Sequence, residues 1–471
     1  MIKSTVKLSE LSNNANIRLC FSKESPKTSR KLVKLLGCLS FFESGSRPKG
    51  GIVYLEDEPV AISLGGEQIG KNGRVDLKNM PVVPLAYYRS TDKGKVNQDD
   101  ILICKDGALT GKCCFIRVKF PIDEVMVNEH VYIVRSNETY LQKFLFYLLR
   151  DEFIQFQVKD LAYRKKGQPG LNADHLSLIK IPYFDIQEQK CILSKIESIE
   201  NEIEDLIFSK LDTSKIINQV FGETLEFNWE KFESIKNEKA YTSSILKFAN
   251  NIDCRMGIRF HNKAGAYMQS FLESKTNKRI KNFISEPIVL GKSVSPSDYD
   301  EDGEYFYIAM SNIKSWAFEP EDCKKVSNSY ANSNLNKIVK KGDILLARSG
   351  EGTIGKVALI EDKDINGIFA DFTQRISFTG FDPLCAYYYM CSDFFQYLVY
   401  THKKGLGNNT NIFPSQIQNF PMPDWDERKQ AEIVQKIKLQ LDEQNEIDMK
   451  IELKQQAINK IIGDAIRLEH S

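Results

Sequence analysis

Isoleucine and leucine recur along one stretch of the chain at spacings that only a helix gathers onto one side: Ile192, Ile196, Ile199, Ile203 and Leu206. Steps of four and three residues form a single stripe, the heptad signature of paired helices. A second stripe lies near the end of the sequence, at Ile433, Ile437, Leu441, Ile447, Ile451, Ile458 and Ile461. Gln444 and Lys454 interrupt it, and polar residues in such a seam often fix register. Between the stripes stand mostly Glu, Lys, Asp, Gln and Asn, as expected for solvated faces. Helices of about 35 to 45 residues would be about 50 to 65 Å long. Neither can bury its stripe alone, so the expectation is that the two pair with each other; the alternative is that each packs on its own domain or on a partner protein.

Ahead of each stripe the pattern changes to short β-prone runs with turn signals, and then to aromatic-rich helical stretches. TYLQKFLFYLLRDEFIQFQV from Thr139 and PLCAYYYMCSDFFQYLVY from Pro383 occupy the same place in the two halves, and core packing explains them. The halves also share a hairpin: DDILICKDGALTGKCCFI from Asp99 parallels GDILLARSGEGTIGKVALI from Gly342. SGSRPKGGIVYLEDEPVAISL from Ser44 loosely matches GKSVSPSDYDEDGEYFYIAM from Gly291. Each half closes on a Lys-Lys-Gly loop, a polar Asn-containing stretch and an apolar residue followed by Pro (Ile181-Pro182, Phe420-Pro421), before a helix entered through acidic residues and Gln. A repeat this long is a duplicated domain rather than a solenoid unit. The expected fold is mixed α/β (α+β), with similar globular domains at 1–185 and 226–424, each followed by a long helix at 186–225 and 425–471. Antiparallel pairing of those helices would give pseudo-twofold symmetry.

Gly350 to Lys356 spells the G-x-x-x-x-G-K of a phosphate-binding loop. The motif needs Ser or Thr next, to hold Mg²⁺, and must open a helix. Val357 stands there instead, at the start of another β-prone run, and the upstream copy is one residue shorter between Gly107 and Lys112. A surface hairpin tolerates that difference and a phosphate cradle does not, so the reading is a repeated turn. A nucleotide-binding enzyme using Gly350–Lys356 is the reading it displaces.

The length of 471 residues calls for several domains, and 42% hydrophobic with 27% charged residues is an ordinary globular composition. No apolar run reaches transmembrane length and the N-terminus lacks the apolar centre of a signal peptide, so a cytoplasmic protein is expected. The ten cysteines show no zinc spacing and lie far in sequence from the five histidines, so no metal site is expected. Net charge is only +1, yet residues 1–185 hold 28 Lys and Arg against 21 Asp and Glu. A basic first half is weak support for a polyanionic partner.

With the paired hairpins, the Gly167–Asn172 stretch GQPGLN and the Ile181–Ile192 junction IPYFDIQEQKCI, the chain resembles the specificity subunits of type I restriction-modification enzymes over nearly its whole length. The second half departs at GLGNNTNIF and at Trp425-Asp426-Glu427-Arg428. The resemblance implies two target recognition domains, each reading half of a split double-stranded DNA target. It implies that the helices set the spacing and dock two methyltransferase subunits, with restriction subunits completing the complex. S-adenosylmethionine, ATP and Mg would then belong to partner chains. This agrees with the lack of an N/D-P-P-Y/F/W methyltransferase motif in a non-catalytic reader. A separate specificity subunit of a type IIB-like system is the close variant.

Base edges are read by Arg, Lys, Asn and Gln, while Lys and Arg on phosphates position the protein. The candidate DNA contacts are therefore Tyr163, Arg164, Lys165, Lys166 and Gln168 in the first half, and Lys403, Lys404, Asn408, Asn409 and Asn411 in the second. Arg47, Lys49, Lys105, Lys112, Arg348 and Lys356 are secondary candidates.

Overall fold

The computed structural model describes residues 26–467 except 49–58, 71, 78–79, 164–168, most of 239–256, 315, 351, 363–364 and 406–408. Two compact units divide the chain, Met1–Ser209 with Ile447–Ser471, and Lys210–Glu446.

In the first unit the strands are β1 (Leu32–Lys34), β2 (Leu39–Ser44), β3 (Val60–Leu64), β4 (Val82–Pro84), β5 (Ile101–Cys104), β6 (Cys113–Phe115), β7 (Val125–Val127), β8 (Val131–Ser136) and β9 (Lys180–Pro182). An antiparallel sheet runs β2-β8-β5-β6, and a smaller one runs β4-β3-β7 with β3 and β7 parallel. Alternation along β5 explains the layering, because successive side chains point to opposite faces. Ile101 and Ile103 pack on Phe144 and Leu148 of α1 (Gln142–Arg150). Leu102 and Cys104 face Ile62, Leu64 and Val127 of the small sheet. Helix α2 (Glu152–Ala162) starts at Asp151, whose carboxylate accepts from Phe153 N–H, and α3 (Ala173–Leu178) starts at Asn172 in the same way. Helix α4 (Ile186–Ser209) completes the run.

The second unit repeats the plan. Its strands are β10 (Val289–Leu290), β11 (Tyr305–Ile308), β12 (Ile313–Lys314), β13 (Ala317–Phe318), β14 (Lys324–Val326), β15 (Asp343–Ala347), β16 (Val357–Leu359), β17 (Gly367–Phe369) and β18 (Thr373–Ser377). The sheets β10-β18-β15-β16 and β14-β11-β17 reproduce both orders, including the parallel pair β11–β17. Helix α5 (Thr213–Leu225) enters the unit; α6 (Pro383–Cys391), α7 (Asp393–His402) and α8 (Pro414–Gln418) follow the sheets; and Glu427–Arg467 is the terminal helix.

Small bonds are duplicated along with the topology. Asp100 accepts from Asn97 N–H at 2.7 Å, and Asp343 from Lys340 N–H at 2.7 Å. Gln155 donates to the Gly111 carbonyl at 3.0 Å and Gln396 to that of Gly355 at 2.8 Å. Gln189 accepts from Leu141 N–H and donates to the Phe184 carbonyl; Gln430 accepts from Asp382 N–H and donates to the Trp425 carbonyl. These last bonds correct the sequence alignment, since Gln430 at the place of Gln189 makes Met422-Pro423, not Phe420-Pro421, the counterpart of Ile181-Pro182. The Trp425–Arg428 junction therefore differs in residues but not in construction. The Gly350–Lys356 run is the turn of the β15–β16 hairpin, and Val357 begins a strand where a nucleotide loop would open a helix.

The helices differ from expectation. Residues 186–225 form two helices rather than one, with a break at 210–212 between α4 and α5. Asp212 caps α5 by accepting from Ser214 N–H at 2.9 Å, and Leu211 N–H donates to the Gln444 side chain at 2.8 Å. In the first unit Ile192, Ile196 and Ile203 share a buried core with Ile458, Ile462, Ala465 and Ile466, with Ile199, Ile451 and Ile461 packed against it. In the second, Ile433 and Ile437 share a core with Ile217, Val220, Phe221 and Leu225 of α5, with Leu441 against it. Leu206 and Ile447 are half-buried and outside both clusters. Ile433 and Ile437 of the second stripe are thus covered by α5. The two polar interruptions have partners, Gln444 at the break and Lys454 in an ion pair with Glu202 of α4. Each helix also packs on its own domain, because Glu200 of α4 is buried against Lys143 and Tyr147 of α1 and against Arg117.

Candidate nucleic-acid interface

Each hairpin turn is tied to the polar loop that follows the aromatic helices. In the first half Gly107 N–H donates to the Pro169 carbonyl at 3.0 Å and Leu171 N–H to that of Lys105 at 2.9 Å. In the second, Gly350 N–H donates to the Thr410 carbonyl at 3.2 Å and Ile412 N–H to that of Arg348 at 2.9 Å. Left-handed glycines make these turns possible: Gly107 and Gly350 both have φ of 82°, Gly111 and Gly355 both 87°. A Cβ on Gly111 would also lie 2.4 Å from Val158 Cγ1, so the turn sits tightly on α2.

Of the described candidates, the construction places Lys105 and Lys112 on the first turn and Arg348 and Lys356 on the second, with Lys404 and Asn411 on the loop bonded to it. Lys105 donates from Nζ to the Glu129 carbonyl at 3.4 Å and lies over the Tyr132 ring, and Lys112 is half-buried on the same turn. Tyr163 is 41% exposed at the end of α2; Arg164, Lys165, Lys166 and Gln168, directly after it, lie outside the described residues, as do Lys49 and Asn408. Arg47 is exposed and pairs with Glu129 at 2.6 Å. In the second half Arg348 donates to the Asp371 carbonyl at 3.1 Å and stacks over Phe372. Lys404 exchanges two backbone bonds with Asn411 at 2.7 Å and lies near the Phe413 ring; Asn409 is exposed and Lys356 half-buried. Lys403 corrects the expectation. It is 6% exposed, beside the Tyr400 ring, and Arg255 donates to its carbonyl at 2.7 Å. A buried stem supports the loop rather than its outer surface. Asn411 likewise spends its backbone and its Nδ2 group, the latter on the Asn409 carbonyl, in shaping the loop.

A third loop, between β7 and β8 and again between β17 and β18, completes each surface and was missed from the sequence. It carries Glu129 and His130 in the first half, Asp371 and Phe372 in the second. His130 reaches Asp106 Oδ2 at 3.1 Å through Nδ1 and Glu129 Oε1 at 3.3 Å through Nε2. Phe372 is 47% exposed. No repeated motif marks these residues; only the strand register places them. The resulting surfaces carry cations, amide side chains and an exposed aromatic ring on loops held by rigid hairpins. Such groups suit phosphate positioning and base-edge contact. Among the described residues no group of three or more His, Cys, Asp or Glu could hold a metal ion, and no helix is long and apolar enough to cross a membrane.

The duplicated mixed α/β domains with paired loops and long helices define a class of protein built to present two similar surfaces. Residues 79–213 match the family model described as the type I restriction modification DNA specificity domain. It is similar to the type I restriction enzyme MjaVIII specificity subunit of Methanocaldococcus jannaschii, with 25% identity over 134 residues. That match covers 28% of this chain and only 31% of the length of the relative. Among solved structures, a chain of a type I R-M system aligns over 94% of this chain and 99% of its own at 14% identity, with a TM-score of 0.44. The S subunit from M. genitalium aligns over 95% and 99% at 11% identity, with a TM-score of 0.36.

Proposed function

We propose that this chain is the non-catalytic DNA-reading subunit of a type I restriction-modification complex, recognising a split, asymmetric target in double-stranded DNA. The observation that carries the reading is the recurrence, in both halves, of one loop construction: a glycine hairpin turn bonded to a polar, cation-bearing loop. Similar frames with different residues, His130 against Phe372 and Lys105 against Arg348, suit two different half-sites. In this reading the domains span about 1–185 and 226–424, and Arg47, Lys105, Lys112, Tyr163, Arg348, Lys356, Lys404 and Asn409 are described candidates for DNA contact. Residues 164–168 and 406–408, which lie outside the described residues, are the corresponding sequence candidates.

The helices act as the spacer. Arg30 joins the Glu188 carboxylate, at 3.1 Å, to the Ala465 carbonyl, at 2.8 Å, while Glu202 pairs with Lys454. In the other unit Leu211 meets Gln444 and Glu223 meets Lys436 at 2.6 Å. Within each unit, rising numbers on one side meet falling numbers on the other, which supports antiparallel pairing. A terminal helix of 41 residues, about 60 Å long, is ample to hold half-sites more than one DNA turn apart, about 34 Å. Two methyltransferase subunits and the restriction subunits would dock on this frame in the cytoplasm, bringing S-adenosylmethionine, ATP and Mg.

Long-read methylation mapping in a methylation-free host tests the proposal. With the chain and the methyltransferase encoded beside it, a new interrupted motif is expected, absent when either is expressed alone. A soluble complex that creates no motif would overturn it.

A further inference from the structure

The two halves build their helix–domain junctions from opposite materials. In the first half Glu200 of α4 is 5% exposed and joins Tyr147 and Lys143 of α1 and Arg117 beyond β6. Burial disfavours its carboxylate, but Lys143, Tyr147 and Arg117 together hold the pKa below the ordinary value of 4.5. The repeat register gives the counterparts. Gln430 at the place of Gln189 puts Leu441 where Glu200 stands. The matching ends of α1 and α6 put Leu384 at Lys143 and Tyr388 at Tyr147. Pairing of Ile101 with Phe115 and of Ile344 with Leu359 puts Glu361 at Arg117. One anion between two cations has become two leucines beside one anion.

The space is not filled by other means. Leu384, Tyr387, Tyr388 and Leu441 line a hollow of about 420 Å³, together with Trp316 and Phe318 of the β12–β13 hairpin. Trp316 occupies the left-handed region, at φ 67°, where the matching turn of the first half has Gly73, at φ 79°. A Cβ at Gly73 would lie 2.7 Å from both Phe146 and Arg150; in the second half Tyr387 and Cys391 stand at those places, and Tyr387 OH donates to the Trp316 carbonyl. A bulky residue at positive φ is strained, and the turn keeps it to place an indole against the hollow. Glu361 and Asp362 are the charged residues among those lining it. Glu361 is exposed at the rim and has no ion-pair partner among the described residues.

We infer that this hollow in the second half is a binding site for a small organic cation with an apolar body. Its walls match the kind of apolar, aromatic lining with a few polar groups that ligand pockets of this size use. Aromatic faces attract an organic cation by their quadrupole, and Glu361 supplies the countercharge that Leu384 and Leu441 leave unanswered. None of residues 348–356 or 403–412 lines the site, and it does not rest on the DNA reading.

Titration of the full chain with benzyltrimethylammonium and with benzyl alcohol, followed by saturation-transfer difference NMR and calorimetry, tests this. The cation is expected to bind saturably, and Glu361→Gln to weaken it threefold or more while leaving benzyl alcohol unchanged. Leu384→Lys, which restores the cation of the first half, is expected to abolish binding. Ala317→Arg, at an exposed position of the wall, supplies a second blocking variant if Leu384→Lys fails to fold. No saturable binding to the unmodified chain, equal response of both ligands to Glu361→Gln, or undiminished binding in a folded blocking variant would each overturn the inference.

Discussion

Gln189 and Gln430 each lock a helix to its domain through a side chain with almost no exposure, 0% and 2%. Gln189 accepts from Leu141 N–H at 2.7 Å and donates to the carbonyls of Thr139 and Phe184 at 2.9 and 3.0 Å. Removing it leaves buried backbone groups unpaired, at ~1–3 kcal/mol for a group so stranded. Gln189→Ala and Gln430→Ala are therefore expected to lower the urea midpoint of the full chain by a comparable amount, without changing the methylated motif. His402 makes a second residue-scale prediction. It lies under Phe420 and Phe260 at the end of α7, its Nδ1 2.9 Å from the Leu398 carbonyl. Burial pushes its pKa below the ordinary 6.5; Arg255 pushes the same way, while the Leu398 carbonyl and Glu273 oppose. The folded state thus binds the proton less well than the unfolded chain. Stability is full above about pH 6.5 and is lost as pH falls below it. Denaturation midpoints between pH 7.5 and 5.5 should show this slope, reduced in His402→Gln. The glutamines could not be singled out from the sequence, because a buried, three-bonded Gln and a solvated one look alike until the loop carbonyls around them are placed. The left-handed glycines were legible as a repeated spacing.

At the scale of elements the hairpins, the aromatic helices and the helical stripes were readable, because each is a periodic pattern. The break between α4 and α5 was not. Leu206, Ile207, Phe208 and Leu211 continue the apolar run up to Asp212, and an N-cap inside such a run is masked by it. The sequence pattern alone therefore merges α4 and α5 into one helix. Two predictions belong here. The Gly350–Lys356 turn should contribute nothing to nucleotide binding, so calorimetry with ATP should give the same trace for Lys356→Ala and the unmodified chain; saturable binding lost in the variant would restore the nucleotide reading. Inserting seven residues in α4 and seven opposite them, beyond Ile447 in the terminal helix, adds about 10 Å, or about three base pairs. Methylation mapping should then find the gap widened by that amount and both parts of the motif unchanged, whereas an unchanged gap would remove the spacer role.

For the whole molecule, the positive balance of residues 1–185, 28 Lys and Arg against 21 Asp and Glu, contrasts with a chain that is nearly neutral overall. The first domain should therefore carry more of the phosphate attraction. Charge-neutralising substitutions there, Arg47→Gln with Lys105→Gln, should flatten the salt dependence of DNA binding by about two units of slope in a log–log plot. Domain duplication was legible in the sequence, since repeated topology leaves repeated strand and turn patterns. Which exposed residues would contact DNA was not, because the two halves keep one loop frame while their exposed residues differ, and the β7–β8 and β17–β18 loops share no motif.

Duplicated frame and antiparallel helices together make the central claim that each domain reads its own half-site, and one chimaera tests it. Replacing residues 277–424 by residues 32–183 of the same chain puts the first domain in both places, across junctions where β1 pairs β9 and Arg279 bridges Pro421. Long-read methylation mapping of the soluble chimaera with its methyltransferase should then yield an interrupted palindrome whose two parts both equal the first part of the natural motif. A motif that keeps the natural second part, or that is no palindrome, would contradict the account.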